Sequence, residues 1–419
     1  MRRVVVGACL SFVVLAACSG QDATASKPVA PLGSGAGPGS GAGPGSGAPT
    51  PSLATIDPVA RGASLYKTFK CGLCHGATAE GYAADFAPSL VSESFAATAT
   101  DTFITTAITS GRPNTAMGAY GEIHRGPLSP DAVAALVAYI RSLRPDVAPI
   151  ALAAAPSTGD VTRGAKVYAD NCQRCHGDTQ TRISAVQLGN VGFLAAATDE
   201  YMRYAIVNGR SRTPMVAWQT VLAPEAIEDV IAYMRSWQAT LPPFAPTPPV
   251  EPTVLSSSAG SGDGQPPGKP KAPPITGPVV INPKGKAPPF TLRENRFVSS
   301  AQVAEALAAK RRLVIVDART PADWERTRIA GAISVPHYAL DLLDAIPNDG
   351  TWVLAYCACP HHASGDIVDE LRRRGYPNTA VIDEGIIVWE QTGYPVVHGL
   401  DGKSAKPAAA ADPHAGHAH

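Results

Sequence analysis

Cys71-Gly-Leu-Cys74-His75 lies in the first quarter of the chain, and the same pattern returns 101 residues later as Cys172-Gln-Arg-Cys175-His176. Two thiols three residues apart on one helical turn point to the same side, so both can reach the two vinyl groups of one haem. The imidazole after the second thiol can then ligate the iron through its neutral nitrogen. A single copy could be a redox dithiol or half of a zinc site, but two copies with matching flanks favour covalent haem.

Each motif lies within a repeated series of predicted helices: one with an Asp cap before the motif, one that ends at glycine, and a last one that starts at proline. These helices span 57–66, 100–111 and 130–143 in the first copy, and 160–168, 198–209 and 224–237 in the second. The motif and this duplicated three-helix plan resemble class I c-type cytochromes. The resemblance implies two all-α domains, 57–145 and 159–240, called here the first and second helical units.

In that family the second axial ligand is usually a methionine on the loop before the last helix. Met117 and Met215 hold matching positions in Pro-containing loops, whereas Met202 and Met234 lie at helical spacing and suit core packing. His124 has no counterpart in the second unit and is assigned to a loop. His/Met ligation fills both axial positions and favours electron transfer. We therefore predict two covalently bound haem c groups, held by Cys71, Cys74, His75 and Met117, and by Cys172, Cys175, His176 and Met215.

The N-terminus resembles the leader of bacterial lipoproteins. Two arginines precede an apolar run that is too short to span a membrane, and Leu15-Ala-Ala-Cys18 resembles a lipobox. The resemblance implies a signal peptide at 1–17 and a lipid anchor on Cys18, in the bacterial cell envelope and facing the periplasm. An ordinary secretory signal, with Cys18 incidental, is the alternative. Residues 18–56 are rich in Gly, Ser and Pro and are predicted to be a flexible tether.

After a Pro-rich segment at 241–290, predicted to be a linker, the pattern changes to strands alternating with helices. The strands span 313–317, 352–356 and 380–383, and the helices 301–310, 364–374 and 386–392. Such alternation predicts an α/β fold, a parallel sheet with helices on both faces and ligands at the carboxyl ends of the strands. Cys357 follows one strand at that edge.

Four pieces of this region resemble the rhodanese family: Asp317-Ala-Arg319, Ile329-Ala-Gly-Ala-Ile-Ser-Val-Pro336, Tyr356-Cys357 and Gly385-Ile-Ile-Val-Trp389. The resemblance implies a rhodanese-like domain at 291–400, joined to two cytochrome c domains by Gly/Pro-rich linkers. It also implies a loop whose backbone N–H groups converge on the sulfur of Cys357, lower its pKa and stabilise a persulfide.

The loop departs from the family pattern. His362 stands where arginine is common, and Pro360 has no N–H to donate. Thr327-Arg328 replaces a common Gly-His, and Glu384 replaces a glycine. The cation that would bind an anion such as thiosulfate is therefore missing, or its role passes to His361, His362 or Arg319. The alternative is a rhodanese fold that has lost its activity and is used only for binding. The candidate catalytic residues are Cys357 as nucleophile, Cys359 as second thiol, His361, His362, Asp317 and Arg319.

The formal charge of zero gives no reason to invoke nucleic acid. The histidines of the 401–419 tail are taken as solvated rather than as a metal site. The leading hypothesis is a lipid-anchored dihaem cytochrome that exchanges electrons with a membrane respiratory complex or another redox protein, coupled to oxidation of thiosulfate, sulfide or persulfide at Cys357. A sulfurtransferase whose haems sense redox state, and a cytochrome with a catalytically dead rhodanese docking domain, are the alternatives.

Overall fold

The computed structural model describes residues 57–84, 86–153, 155–179, 181–241, 244, 278–358, 361–399 and 403–404. The leader with Cys18, the tether, most of the Pro-rich segment, Cys359 and the histidine tail lie outside these ranges. Within them, no helix combines the length and the apolar character that a membrane crossing requires.

In the first helical unit, the three longer helices start at side-chain caps. Asp57 accepts the N–H groups of Val59 and Ala60, and Thr100 accepts the N–H of Phe103. The helices are α1 Pro58–Thr68, α2 Gly72–His75, α3 Glu93–Thr98, α4 Asp101–Ser110 and α5 Pro130–Ser142, with a 3₁₀ turn at Glu122–His124.

The second helical unit repeats this order. Its helices are α6 Val161–Asn171, α7 Gln173–His176, α8 Val191–Ala196, α9 Asp199–Asn208 and α10 Pro224–Ser236, followed by a 3₁₀ turn at Trp237–Ala239. The predicted helices are all present. The three-helix plan is incomplete, because α3 and α8 are single six-residue segments, too short for a helical periodicity to reveal them.

In both units the first and last helices cross at a glycine. A Cβ at Gly62 would lie 2.0 Å from the carbonyl oxygen of Ala135, and one at Gly164 would lie 1.9 Å from that of Asp229. Only a residue without a side chain allows the two helix backbones to come this close. The crossing holds the end of the first helix, and hence the motif that follows it, against the core.

The C-terminal region is an α/β domain. Its main sheet is parallel, with strand order β1-β6-β5-β2-β4, and a small antiparallel sheet, β3-β7-β8, lies beside it. The elements are β1 Phe297–Val298, α11 Ser300–Ala308, β2 Leu313–Asp317, α12 Pro321–Arg326, β3 Thr327–Ile329, β4 Ile333–Ser334, β5 Trp352–Tyr356, α13 His362–Arg373, β6 Thr379–Ile382, α14 Gly385–Gln391, β7 Val396–His398 and β8 Lys403–Ser404, with a 3₁₀ segment at Leu340–Ala345.

Both faces of the main sheet are covered, as the sequence predicts. Alternate residues of β2 enter two separate hydrophobic clusters: Leu313 and Ile315 join one, and Val314 and Val316 join the other. Helices α11 and α14 supply residues to the first cluster and α13 to the second. The strand is therefore apolar along its whole length, because neither face meets water.

The α/β domain begins earlier than its predicted start at residue 291. The N–H of Ile281 donates to the carbonyl of Leu313 at 2.8 Å, and the ring of Phe290 lies edge-on to Trp352 with centroids 5.3 Å apart. The last part of the Pro-rich segment is thus packed on the sheet. Composition alone suggested a linker there, because composition does not reveal contacts between residues that are far apart in sequence.

Candidate haem and sulfur sites

The two Cys-x-x-Cys-His motifs form the short helices α2 and α7. The N–H of His75 donates to the carbonyl of Cys71 at 3.0 Å, and the N–H of His176 donates to that of Cys172, also at 3.0 Å. Each pair of thiols therefore lies on one helical turn, which is the arrangement that attachment of one group through two sulfurs requires.

The imidazoles are prepared to act as ligands. Nδ1 of His75 lies 2.9 Å from the carbonyl oxygen of Pro88, and Nδ1 of His176 lies 2.8 Å from that of Val186. A carbonyl can only accept, so Nδ1 carries the proton and Nε2 keeps its lone pair for a metal. Burial lowers the pKa of both histidines, which favours the neutral form that binds iron.

The thiols do not have the properties of a redox dithiol or a zinc site. Burial raises the pKa of Cys71 to about 12 and that of Cys172 to about 11, whereas reactive dithiols have a lowered thiol pKa. Across the described ranges, no three His, Cys, Asp or Glu side chains assemble into a metal-binding group. The donor set fits covalent haem better than either alternative.

The two methionine loops are built in the same way. The N–H of Arg112 donates to the carbonyl of Met117 at 2.7 Å, and that of Arg210 donates to the carbonyl of Met215 at 2.8 Å. Both methionines are partly buried against the helical core, as are Cys71 and Cys172. Met202 and Met234 are each 3 % exposed and fill that core, as the sequence predicts. Ligation of iron by the loop methionines remains a prediction.

A pair of tyrosine hydroxyls, which the sequence reasoning did not single out, supports the motifs. The hydroxyl of Tyr66 donates to the carbonyl of Gly76 at 2.8 Å, and that of Tyr168 donates to the carbonyl of Gly177 at 2.9 Å. Each bond ties the helix before the motif to the residue after its histidine. The repeated Arg-Gly-Ala-x-x-Tyr segment was the available signal.

The two helical units meet through equivalent surfaces. The ring of Phe103 stacks on Tyr201 with centroids 4.8 Å apart, and these residues occupy the same place in the two repeats. The guanidinium of Arg112 lies over Phe103 and that of Arg210 over Tyr201. Since each arginine begins a methionine loop, both loops adjoin this interface.

Cys357 follows β5 at the carboxyl edge of the main sheet and is 4 % exposed. Its carbonyl accepts the N–H of Ile386 at 3.0 Å, and its Sγ lies 3.3 Å from Oγ of Ser364. Gly385 has φ +69°, and a Cβ there would lie 2.8 Å from the carbonyl oxygen of Cys357. The hydroxyl of Ser364 can donate to a thiolate or to a sulfur bound on it.

Asp317 and Arg319 form a buried network. The Arg319 guanidinium donates to Asp317 at 2.7 Å and also to the carbonyl of Thr327, and the hydroxyl of Tyr356 donates to Asp317 at 2.6 Å. This network joins the ends of β2, β3 and β5, and the guanidinium is held by the carboxylate. Binding of an anion by Arg319 therefore remains a prediction without a contact to support it.

The histidines of the loop lie in different settings. Nε2 of His361 lies 2.6 Å from Oδ1 of Asp383, and its ring lies over Phe297 with centroids 4.1 Å apart. His361 has φ +83°, a left-handed conformation that few side chains adopt. His362 begins α13. Their catalytic roles, and that of Cys359 outside the described residues, remain predictions.

Two departures from the rhodanese pattern have structural explanations. Oε2 of Glu384 accepts the N–H of Ser300 at 2.8 Å, which caps the first turn of α11. The guanidinium of Arg328 donates to the carbonyl of Gly399 at 2.8 Å and lies over the ring of Trp324. Both residues therefore hold elements of the domain together.

Cys357 lies close to the first haem motif. Lys70, which directly precedes Cys71, forms an ion pair of 2.7 Å with Asp366 on α13, the helix after the Cys357 loop. Burial raises the pKa of Cys74 to about 11, and the nearby charge of Cys357 raises it as well. The ring of Phe69, two residues before Cys71, also lies edge-on to Tyr338 of the α/β domain with centroids 5.6 Å apart.

The fold and the motifs define a c-type cytochrome joined to a rhodanese-like domain. The family model "Cytochrome C oxidase, cbb3-type, subunit III" matches residues 57–140 and 159–234, and the model "Rhodanese-like domain" matches residues 299–392. The chain thus consists of two cbb3-type cytochrome c domains followed by a C-terminal rhodanese-like domain.

Three known proteins each resemble a part of the chain. The cbb3-type cytochrome c oxidase subunit CcoP of Azospirillum sp. (strain B510) is 28 % identical over 193 residues, 42 % of this chain and 61 % of that subunit. A sulfurtransferase of Allochromatium vinosum is 29 % identical over 101 residues, 24 % of this chain and 92 % of that protein. The solution structure of a rhodanese-like domain from Anabaena sp. is 20 % identical, covering 29 % of this chain and 89 % of that one, with TM-score 0.24. The chain spans about three fifths of the length of the Azospirillum subunit.

Proposed function

We propose that this protein is a dihaem cytochrome of the cell envelope that draws electrons from a small sulfur compound at Cys357 and delivers them to a respiratory oxidase. The observation that carries the proposal is the contact between the flank of the first haem motif and the rhodanese-like domain, where Lys70, directly before Cys71, pairs at 2.7 Å with Asp366 on the helix after the Cys357 loop. A nucleophilic thiol held beside a haem attachment site joins sulfur binding to electron transfer within one chain.

The two haem c groups would be attached through Cys71 and Cys74 and through Cys172 and Cys175, with His75, Met117, His176 and Met215 as axial ligands. Each haem, when bound, exchanges a single electron, so two of them match the two electrons that leave when a thiol and hydrosulfide join. Only the residues of the chain are assigned further roles below.

Cys357 is the nucleophile in this account. Its thiolate and hydrosulfide would form one S–S bond as the S–H bond of hydrosulfide breaks and its proton passes to water, and the two electrons released would be taken up by the haem groups held at the two motifs. The hydroxyl of Ser364, 3.3 Å from the Cys357 sulfur, can donate a hydrogen bond to the thiolate or the persulfide. Cys359 is proposed as a second thiol that receives the outer sulfur.

The oxidase partner is proposed from the cytochrome domains, because the Azospirillum protein is by name a subunit of a cbb3-type oxidase. The envelope location is proposed from the leader, with a lipid anchor on Cys18 and the domains facing the periplasm. A tether of about 38 residues would allow the domains to reach a membrane partner, since a flexible coil of that length spans roughly 30–40 Å.

The test is anaerobic mixing of the oxidised holoprotein with hydrosulfide, and separately with thiosulfate, while the visible haem bands are recorded. We expect reduction by hydrosulfide in the wild type and none in Cys357→Ala. Absence of reduction by either compound, in protein that ascorbate still reduces, would contradict the proposal. Equal reduction of wild type and Cys357→Ala would show that sulfur compounds reach the haems without the thiol.

A second candidate function is sulfur transfer without electron transfer. It is favoured by the match to the Allochromatium sulfurtransferase, which extends over 92 % of that protein. A sulfur-transfer assay with thiosulfate and cyanide separates it from a domain used only for docking. Activity lost in Cys357→Ala, with no haem reduction by any sulfur compound, would support this second function over the first.

A further inference from the structure

The methionine loops of the two helical units differ at one equivalent position. The residue after Met117 is Gly118, and the residue after Met215 is Val216. A Cβ at Gly118 would lie 2.7 Å from Oδ2 of Asp323 and 2.7 Å from Cγ2 of Thr320, both in the α/β domain. Val216 is 59 % exposed. A valine therefore fits at this position in the second unit, where the side chain is exposed. In the first unit, the position that the α/β domain approaches is occupied by glycine.

Aromatic side chains fill the same contact. Phe69 lies edge-on to Tyr338 with ring centroids 5.6 Å apart, and Tyr120 lies 6.1 Å from Tyr338 and 6.5 Å from His337. Tyr338 belongs to the α/β domain yet packs against the core of the helical units. His337 is buried, and its Nε2 lies 3.5 Å from the carbonyl oxygen of Phe69. Such a cluster excludes water from the contact.

Charged pairs lie at both sides of this cluster. Lys70 pairs with Asp366, and Arg125 pairs with Glu325. Lys70 has φ +53°, a conformation that is uncommon for any residue but glycine. Its counterpart in the second unit, Asn171, is the last residue of the regular helix α6. The first unit thus leaves the pattern of the repeat at the residue that makes an ion pair across the contact.

We infer that this contact is a built docking surface that seats the rhodanese-like domain on the first cytochrome domain and makes the first haem motif, and not the second, the redox neighbour of Cys357. The docking contact does not depend on the proposed function. The electron path from Cys357 to the first haem motif rests on that function.

The primary test exchanges the two residues of the repeat in the full-length holoprotein. Gly118→Val inserts a side chain into the contact, and Val216→Gly makes the reverse change where no domain is docked. Amide hydrogen exchange is followed in peptides that cover 116–121 and 335–339. We expect exchange in both peptides to accelerate at least fivefold in Gly118→Val and to remain unchanged in Val216→Gly, with haem spectra intact in both. Unchanged exchange in Gly118→Val would overturn the inference.

The ion pair gives a second test that includes a rescue. Lys70→Glu and Asp366→Lys each place like charges together, whereas the double variant restores opposite charges. Lys67→Glu, a change at an exposed lysine in the last turn of α1, alters the net charge by the same amount as Lys70→Glu. We expect faster exchange in peptide 335–339 in each single variant, and wild-type exchange in the double variant and in Lys67→Glu. Failure of the double variant to restore protection would contradict a docking role for the pair. These readouts need no sulfur chemistry, so failure of the docking and failure of the proposed function give different results.

Discussion

The two cytochrome domains are copies that share their internal helix crossing and hydrogen bonds but differ in the residues on their surfaces. Inside, the glycine helix crossing, the imidazole bound to a carbonyl and the methionine loop recur with distances that differ by about 0.1 Å. Outside, Gly118 meets the rhodanese-like domain whereas Val216 is exposed. The comparison shows that the two copies share the parts proposed to hold a haem, and that the surface of one copy differs where it contacts a further domain.

A second difference lies at the helix crossing. Where the first domain has Ala135, the second has the buried Asp229, which accepts the N–H of Asp160 at 2.6 Å and two hydrogen bonds from Arg163. The two copies therefore use the same crossing geometry but only the second depends on an ionised carboxylate. This gives the copies different responses to pH.

The largest expected effect is removal of one motif. Cys71→Ser with Cys74→Ser should halve the covalent haem content and abolish reduction by hydrosulfide, because the motif beside Cys357 is lost. Cys172→Ser with Cys175→Ser should also halve the haem content but leave reduction of the remaining haem, with two protein molecules consumed per hydrosulfide because each then holds a single one-electron acceptor. Haem content is measured by the pyridine haemochrome spectrum and reduction by stopped flow. The opposite pattern would assign entry of electrons to the second domain.

Exchange of an axial ligand should have an intermediate effect. Met117→His and Met215→His each replace a proposed His/Met pair with two histidines, which should lower the potential of one haem by on the order of 0.1 V, within the ~0.8 V range that axial ligands control. Spectroscopic titration should show one shifted haem and one unchanged haem in each variant. Met202→Leu, a change in the core, serves as the control and should shift neither. An unshifted titration in Met117→His would remove Met117 from the ligand set.

The smallest expected effect concerns Asp229. Hydrogen bonds from Arg163 and from the N–H of Asp160 lower its pKa. A carboxyl whose pKa is lower in the folded state stabilises the protein above its unfolded pKa, near 3.9, and this stabilisation is lost as pH falls through the folded pKa. Asp229→Ala, which installs the residue found at 135, should lower the free energy of unfolding by about 1 kcal/mol at pH 6.

Thermal unfolding of the wild type and Asp229→Ala between pH 6 and pH 3 checks this expectation. The difference between the two proteins should shrink below about pH 4, as the wild type loses the contribution of the carboxylate. Asp170→Ala removes an exposed ion pair with Lys166 and should show little difference at any pH. A gap between wild type and Asp229→Ala that stays constant down to pH 3 would show that the carboxylate charge does not stabilise the crossing.

The sequence predicted those features that depend on local residues. Asp57 and Thr100 cap helices where predicted, Met202 and Met234 fill the core, and the main strands begin and end within a residue of their predicted bounds. Helices α3 and α8 were missed because six residues hold too little periodicity. The small sheet was missed because β3 pairs with β7 almost seventy residues later.

The candidate sites likewise contain features that local residues predict and features that depend on contacts distant in sequence. The attachment cysteines and histidines were predicted from spacing, and the hydroxyls of Tyr66 and Tyr168 could have been inferred from their repetition. The contact at Gly118 could not, because no local pattern relates a loop glycine to Asp323 more than 200 residues away. The role of Gly118 is recognised by comparison with the equivalent Val216, once the structure shows that the α/β domain lies against the first copy at this position.

The most direct measurement of the central claim is the rate of haem reduction by hydrosulfide in the wild type, Gly118→Val and Val216→Gly, followed anaerobically by stopped flow. If the docked rhodanese-like domain passes electrons to the first haem motif, Gly118→Val should slow the Cys357-dependent phase at least tenfold while Val216→Gly keeps the wild-type rate. Reduction by ascorbate should be the same in all three proteins. The account would be contradicted if Gly118→Val and the wild type were reduced by hydrosulfide at equal rates while hydrogen exchange showed that the rhodanese-like domain of Gly118→Val is undocked.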